Sequence, residues 1–238
     1  MTRALYWEDA YCRQTRARAA AARTEDGNVF AALDATIFYP RGGGQPGDCG
    51  ELRPAGGAPL PVLDTVKDRE TGAVWHLLQT DSPPPSGAEL ELRIDWTRRH
   101  GCMRAHTAMH LLCAAIHAPV TGGSMDALRG RIDFDCGALP DKAALEEKIN
   151  GWITGNASVC ARWTDEKELD DNPGLARAMS APPPRGAGKV RLVEIAGIDL
   201  QACGGTHVAA LGEIGKFQIR KIENKGRNNR RIQFQLAD

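Results

Sequence analysis

Two pairs of metal-ligand residue types carry the clearest chemistry in this chain. His106-Thr107-Ala108-Met109-His110 sets two imidazoles four residues apart. On a helix, positions i and i+4 share one face, so both rings can meet a single ion. Much later, Cys203-Gly204-Gly205-Thr206-His207 repeats that spacing with a thiol and an imidazole. The double glycine permits a tight turn that points both side chains at one centre. Together the four offer three nitrogens and a sulfur, a donor set suited to tetrahedral Zn²⁺, one ion per chain. Cys102 and Cys113 lie about one turn either side of the histidines on the same helix face. Either could replace one of the four as ligand, or simply fill the core.

A metalloprotease is excluded and a zinc finger is disfavoured, while a purely structural zinc stays open. A zinc protease helix needs Glu directly after its first histidine, and Thr107 stands there. A zinc finger closes its ligand pairs over roughly 12–20 residues. Here most of a domain separates the pairs, so the ion would join distant elements of a sizeable fold. A third motif, Gly42-Gly43-Gly44 followed by Gln45, could wrap an anion with consecutive amides or be a plain flexible loop. It lacks the GxxxxGK[ST] phosphate-loop pattern, so no nucleoside triphosphate is required.

These residues need elements to hold them. Strands are expected at 28–33, 36–39, 61–66, 73–78 and 89–94, with Gly/Pro turns between, which suggests a small barrel or sandwich. Residues 11–22, rich in Ala and Arg, read as a helix. The pattern changes near 95, where Asp95 or Thr97 could cap a helix over 98–116 that is stopped by His117-Ala118-Pro119. A second helix is expected over 141–152, with Leu145, Ile149 and Trp152 on its apolar face. A third spans 165–179, broken at Asn172-Pro173-Gly174. Strands return at 189–195, 215–222 and 231–236. The expected fold is α+β, with an N-terminal barrel domain (1–94) and a metal-bearing domain (95–238).

Composition agrees with a folded soluble protein. Of 238 residues, 42% are hydrophobic and 25% charged, and thirty basic side chains balance thirty acidic ones. A globally sticky polyanion binder is thereby excluded, although a local basic patch is not. No run of 18 apolar residues occurs, and the charged N-terminus does not read as a signal peptide. Seven irregularly spaced cysteines fit reduced thiols and a cytoplasmic location.

The motifs resemble a known family. Arg104-Ala105-His106-Thr107-Ala108-Met109-His110-Leu111-Leu112 and Cys203-Gly204-Gly205-Thr206-His207-Val208 are similar to the two editing motifs of alanyl-tRNA synthetase. They are equally similar to those of its free-standing relatives, the AlaX alanyl-tRNA editing proteins. Thr36-Ile37-Phe38-Tyr39-Pro40-Arg41-Gly42-Gly43-Gly44-Gln45-Pro46-Gly47-Asp48 resembles the glycine-rich motif of the longer members. The opening 2–11 and the segments 130–134 and 221–226 are also similar, in the same order along the whole chain.

The resemblance implies a small β-barrel followed by a two-layer α/β editing domain shared with threonyl-tRNA synthetase. It implies His106, His110, Cys203 and His207 as zinc ligands. The implied activity is hydrolysis of mischarged Ser-tRNA(Ala), with Gly-tRNA(Ala) as a second candidate. A site built for alanine rejects an added hydroxyl only about 10²-fold, so a second sieve is needed. Thr107, Thr121 and Gln45 are the candidates to recognise the serine hydroxyl, with Gly42, Gly43 and Gly44 forming a substrate loop. Seven cations against one acid between 216 and 231 suggest a tRNA-facing run, including Lys225, Arg227 and Arg230. Arg98, Arg99 and Arg104 could extend it. The alternative is a zinc-stabilised RNA-binding or regulatory protein without catalysis.

Overall fold

The computed structural model describes residues 2–68, 70–176 and 188–237. They form an α+β chain with a six-stranded closed barrel and few helices. Two compact units divide it, Met1–Arg99 and His100–Asp238.

In the first unit, β1 (Arg3–Ala4) precedes a single-turn helix α1 (Leu5–Glu8). Then follow β2 (Gln14–Glu25), β3 (Asn28–Leu33), β4 (Ala35–Thr36), β5 (Gly50–Pro54), β6 (Leu60–Lys67), β7 (Val74–Leu78) and β8 (Glu89–Ile94). The barrel runs β2-β3-β7-β6-β5-β8, and β1 pairs with β4 in parallel outside it. The helix expected over 11–22 is instead mostly β2. Its side chains alternate, Ala17 and Ala19 buried while Arg16 and Arg18 are exposed and face Glu89 of β8. Ala and Arg favour helices intrinsically, but a period of two that fills the barrel interior decides the outcome. Asp26-Gly27, both with positive φ, turns β2 into β3. Of the strand expected over 36–39 only Thr36 lies in β4, because the Phe38 and Tyr39 amides donate to the Thr36 hydroxyl and the Asp48 carboxylate instead of to a neighbouring strand.

The second unit contains α2 (Trp96–Ile116), whose first turn belongs to the first unit, then β9 (Val120–Asp126) and β10 (Arg129–Asp135). After these come α3 (Lys142–Gly155), β11 (Val159–Asp165), α4 (Glu166–Asp171), β12 (Lys189–Ile195), β13 (Asp199–Ala202), β14 (Lys216–Asn224) and β15 (Asn229–Ala237). One antiparallel sheet has the order β14-β15-β10-β9, and a second has the order β11-β12-β13. The helix expected over 165–179 is only α4 and a 3₁₀ turn within the described residues, and its last three positions lie outside them.

Asp95 caps α2, its Oδ1 accepting from Arg98 N–H at 3.0 Å, and His117 in a left-handed conformation ends it. Every residue from Gly101 to Ala115 is buried. This helix is buried on all sides, its polar Arg104, His106, Thr107 and His110 included, so it is a core helix and not a surface amphipathic one. Gly123 has no side chain where a Cβ would meet the Met109 methyl at 2.8 Å, so β9 can lie against α2. In α3, Asp141 caps the first turn and Leu145, Ile149 and Ile153 are buried. Trp152 is only half-buried, and Ile153 takes the inward position expected for it.

Candidate metal centre

Two elements converge on one point in the second unit. The buried helix α2 presents His106 and His110, with ring centroids 5.3 Å apart. The turn after β13 presents Cys203 and His207. One ligand atom from each of the four lies within 4.8 Å of all the others. Cys203 Sγ is 3.5 Å from His106 Nε2 and 3.3 Å from His207 Nε2. The His207 ring lies 4.3 Å from that of His106 and 4.5 Å from that of His110. A nearly buried cluster of three imidazoles and a thiol, with hydrogen-bonding donors facing one another, could hold a metal ion. The donor chemistry suits zinc.

The local backbone explains why Cys203 and His207 point inward. Arg191 of β12 is buried and donates through Nη1 to the carbonyls of Cys203 and Gly205, each at 2.9 Å. Cys203 N–H returns a bond to Arg191 O at 3.0 Å, and Gly205 N–H points at Cys203 Sγ at 3.4 Å. The glycine turn is therefore clamped around the sulfur.

Electrostatics agree with a thiolate. Burial pushes the Cys203 thiol up, but the neighbouring His106 and His207 outweigh it and hold its pKa well below the ordinary thiol value. Burial and the adjacent His106 push the His207 imidazole well below its usual range. His110 goes the other way. Burial opposes its charge, yet Asp199 and Cys203 raise its pKa to about 9. A metal held by these four residues would meet a thiolate and would compete with a proton on His110.

Comparison with known proteins decides the family. The alanyl-tRNA editing protein AlaX-M of Methanosarcina acetivorans is 37% identical over the whole length of both chains. AlaX-M of Pyrococcus horikoshii is 33% identical over 99% of this chain and 98% of its own. The chain belongs to the AlaX-M family. The pattern described as threonyl and alanyl tRNA synthetase second additional domain matches residues 190–233, which include the cysteine–histidine turn. The alanine–tRNA ligase of Pyrobaculum neutrophilum is 36% identical over 93% of this chain, which spans 25% of that longer protein.

Against this AlaX-M frame the expected site residues separate. Cys102 and Cys113 are buried on α2 but are not members of the convergent cluster, so neither is needed as a ligand. Thr107, expected to read substrate, is already saturated. Its hydroxyl donates to Met103 O at 2.9 Å and accepts from His207 Nδ1 at 3.2 Å and Val208 N–H at 3.3 Å. One donor and two lone pairs are all a hydroxyl has, so Thr107 orients His207 and is corrected to that role.

Thr121 lies in β9 and not in a turn, half-buried, donating to Asp133 O at 3.4 Å and accepting from Asn229 at 3.3 Å. Both bonds are long and one lone pair remains. Gln45 is buried. Its backbone closes a tight turn with Gly42, N–H to O at 3.0 Å in both directions, and Gly43 and Gly44 occupy positive φ between them. The glycine segment is thus a hairpin turn closed by backbone bonds at its two flanking residues, rather than a plain flexible loop.

The basic residues also divide. Arg99 is fully buried, paired with Asp48 and donating to Ala10 O and Ile37 O. It is a structural ion pair of the first unit and is withdrawn as a tRNA contact. Arg104 is likewise buried, holding Ile214 O at 3.0 Å. Arg230 is half-buried and donates to the carbonyls of Gly137, Gly226 and Arg227, which ties the β14–β15 turn together. Lys225 and Arg227 are exposed, and Arg98 is half-buried.

Two residues around the centre were not singled out from sequence, Arg191 and Asp199. Only the fold shows Asp199 and Gln201 on the buried side of β13.

Proposed function

We propose that this protein is a trans-editing hydrolase that cleaves the ester joining serine to the 3′ end of tRNA(Ala). The observation that carries the reading is the convergence of His106, His110, Cys203 and His207 in a chain of the AlaX-M family. Its relatives are named alanyl-tRNA editing proteins and match it over their full length. That activity is an aminoacyl-tRNA deacylase.

Zinc is the metal that fits, and when bound it supplies a fixed positive charge beside the reacting ester. The chain's own groups do the rest of the arranging. Arg191 and the Gly205 amide hold the Cys203 turn, and Thr107 fixes the His207 ring. The two-layer editing-domain reading of the second unit, and a part for Gly42, Gly43 and Gly44 in substrate binding, rest on the resemblance. So does a cytoplasmic reaction that needs mischarged tRNA(Ala), no triphosphate and no membrane. Among the described residues no helix is long and apolar enough to cross a membrane.

Alanine is smaller than serine, so the sieve must work through a polar group satisfied only by the serine hydroxyl. Such a group left unpaired by alanine costs about 1–3 kcal/mol, or roughly 5–150-fold. With Thr107 saturated, Thr121 and Gln45 remain, and Thr121 is the first choice. Deacylation of Ser-, Gly- and Ala-tRNA(Ala), with and without chelator, tests the whole reading. Thr121→Val should narrow the Ser/Ala ratio with zinc still bound, whereas an unchanged ratio moves the sieve to Gln45. Full activity after complete zinc removal rejects the metal-dependent mechanism.

A further inference from the structure

Beside the four ligand residues sits a buried carboxylate that the proposed chemistry does not use. Asp199 opens β13, and its Oδ2 lies 3.4 Å from His110 Nδ1. The same oxygen accepts from Gln201 Nε2 at 2.7 Å, which fixes the carboxylate's rotation. His110 then has only Nε2 left for the centre, the same atom that His106 and His207 direct at Cys203 Sγ. His207 repeats the arrangement with a different group, its Nδ1 facing the Thr107 hydroxyl.

We propose that Asp199 is a positioning residue for the metal centre, holding His110 with its proton on Nδ1 so that Nε2 faces the ion. The proposal rests on the metal reading given above. A carboxylate on the far nitrogen fixes tautomer and ring rotation and makes the ligating nitrogen a better donor. Asp199 also stands four residues before Cys203 on one segment, while His110 belongs to α2. The contact therefore registers the segment bearing the sulfur against the helix bearing two of the imidazoles. β13 is itself held to β12 by pairing of Ile195 with Asp199 and Leu192 with Ala202.

The test is zinc affinity, measured on the full chain by competition with a chelator of known strength, in wild type, Asp199→Asn and Asp199→Ala. Visible absorption of the Co²⁺-loaded proteins reports ligand geometry independently of activity. The dissociation constant should rise about tenfold in the isosteric Asn variant and up to about 100-fold in the Ala variant. The Co²⁺ bands should shift in both. Affinity within twofold of wild type in the folded Asn variant overturns the proposal, as does a lowered melting temperature with zinc affinity and Co²⁺ spectrum intact. If Asp199→Ala does not fold, the Asn variant decides. A wild-type protein that holds no zinc rejects the metal centre itself, which separates that failure from failure of the Asp199 role.

Discussion

The two units each bury histidine, with opposite consequences. In the barrel, His76 is wholly enclosed, and both its nitrogens have partners, Thr36 Oγ1 at 2.8 Å and Ala31 O at 3.0 Å. Burial lowers its pKa to about 4, so it is a neutral, satisfied core residue. In the second unit, three imidazoles crowd one another and a thiol, and their ligand atoms meet at one point. Burial of a histidine is therefore no sign of chemistry by itself. What distinguishes a site is that several donors share a target and have their far sides held by other groups, as Thr107 and Asp199 hold His207 and His110.

The contrast breaks most sharply when each kind of histidine is removed. Cys203→Ala or His207→Ala should reduce zinc from about one per chain to background and abolish Ser-tRNA(Ala) deacylation, as read by metal analysis and acid-soluble product. His76→Gln should leave zinc content at wild-type level. Zinc loss from the His76 variant, or retention in the Cys203 variant, would erase the distinction.

The next effect is on stability against pH. His76 is neutral in the fold down to about 4 but takes up a proton near 6.5 when unfolded. Its folded pKa is depressed, so the unfolded chain binds the extra proton and stability falls as pH drops from about 6.5 toward 4. The full gap is worth about 3 kcal/mol. Urea titrations of wild type and His76→Gln between pH 7 and 4.5 should show a steeper loss in wild type. Parallel slopes would mean that this histidine is charged in the fold.

How far such distinctions could be read beforehand depended on sequence distance. The ligand quartet was legible because each pair has its own four-residue spacing and the glycines between Cys203 and His207 announce a turn. Four of the barrel strands, β3, β6, β7 and β8, were legible from alternation and from Gly/Pro punctuation, but β5 and β2 were not. The buried residues of β2 are alanines, whose weak hydrophobic contrast hides a period of two behind helix propensity. The roles of Arg99, Thr107, Arg191 and Asp199 were invisible for another reason. Each depends on a partner far away in the chain, Asp48, His207, Cys203 and His110 respectively, and no local spacing encodes those meetings.

Thr107 sharpens the comparison at a finer scale, because its hydroxyl accepts from His207 Nδ1 whereas Thr36 donates to Nε2 of the neutral His76. Thr107→Val removes the acceptor for His207 Nδ1 and strands the Val208 amide. Zinc should bind roughly tenfold more weakly, with the Ser/Ala ratio of the loaded enzyme unchanged. A changed ratio at full zinc occupancy would return Thr107 to the role of substrate reader.

The smallest effect belongs to the surface, where charges are neither buried nor focused on a target. Lys225 lies 3.5 Å from Glu223 and Arg227 is exposed beside it, both at the β14–β15 turn. Arg230, in the same run, is spent on backbone carbonyls. Reversing Lys225 and Arg227 to Glu should raise KM for charged tRNA several-fold. The slope of log affinity against log salt should fall by about one for each lost phosphate contact. Hydrolysis of a short aminoacyl-adenosine, which has no backbone to grip, should stay at wild-type rate. Arg230→Gln should instead lower the melting temperature and affect both substrates alike, because it loosens the turn that carries the other two. If Arg230→Gln reproduces the tRNA-specific defect without a stability loss, Arg230 is a tRNA contact like Lys225 and Arg227.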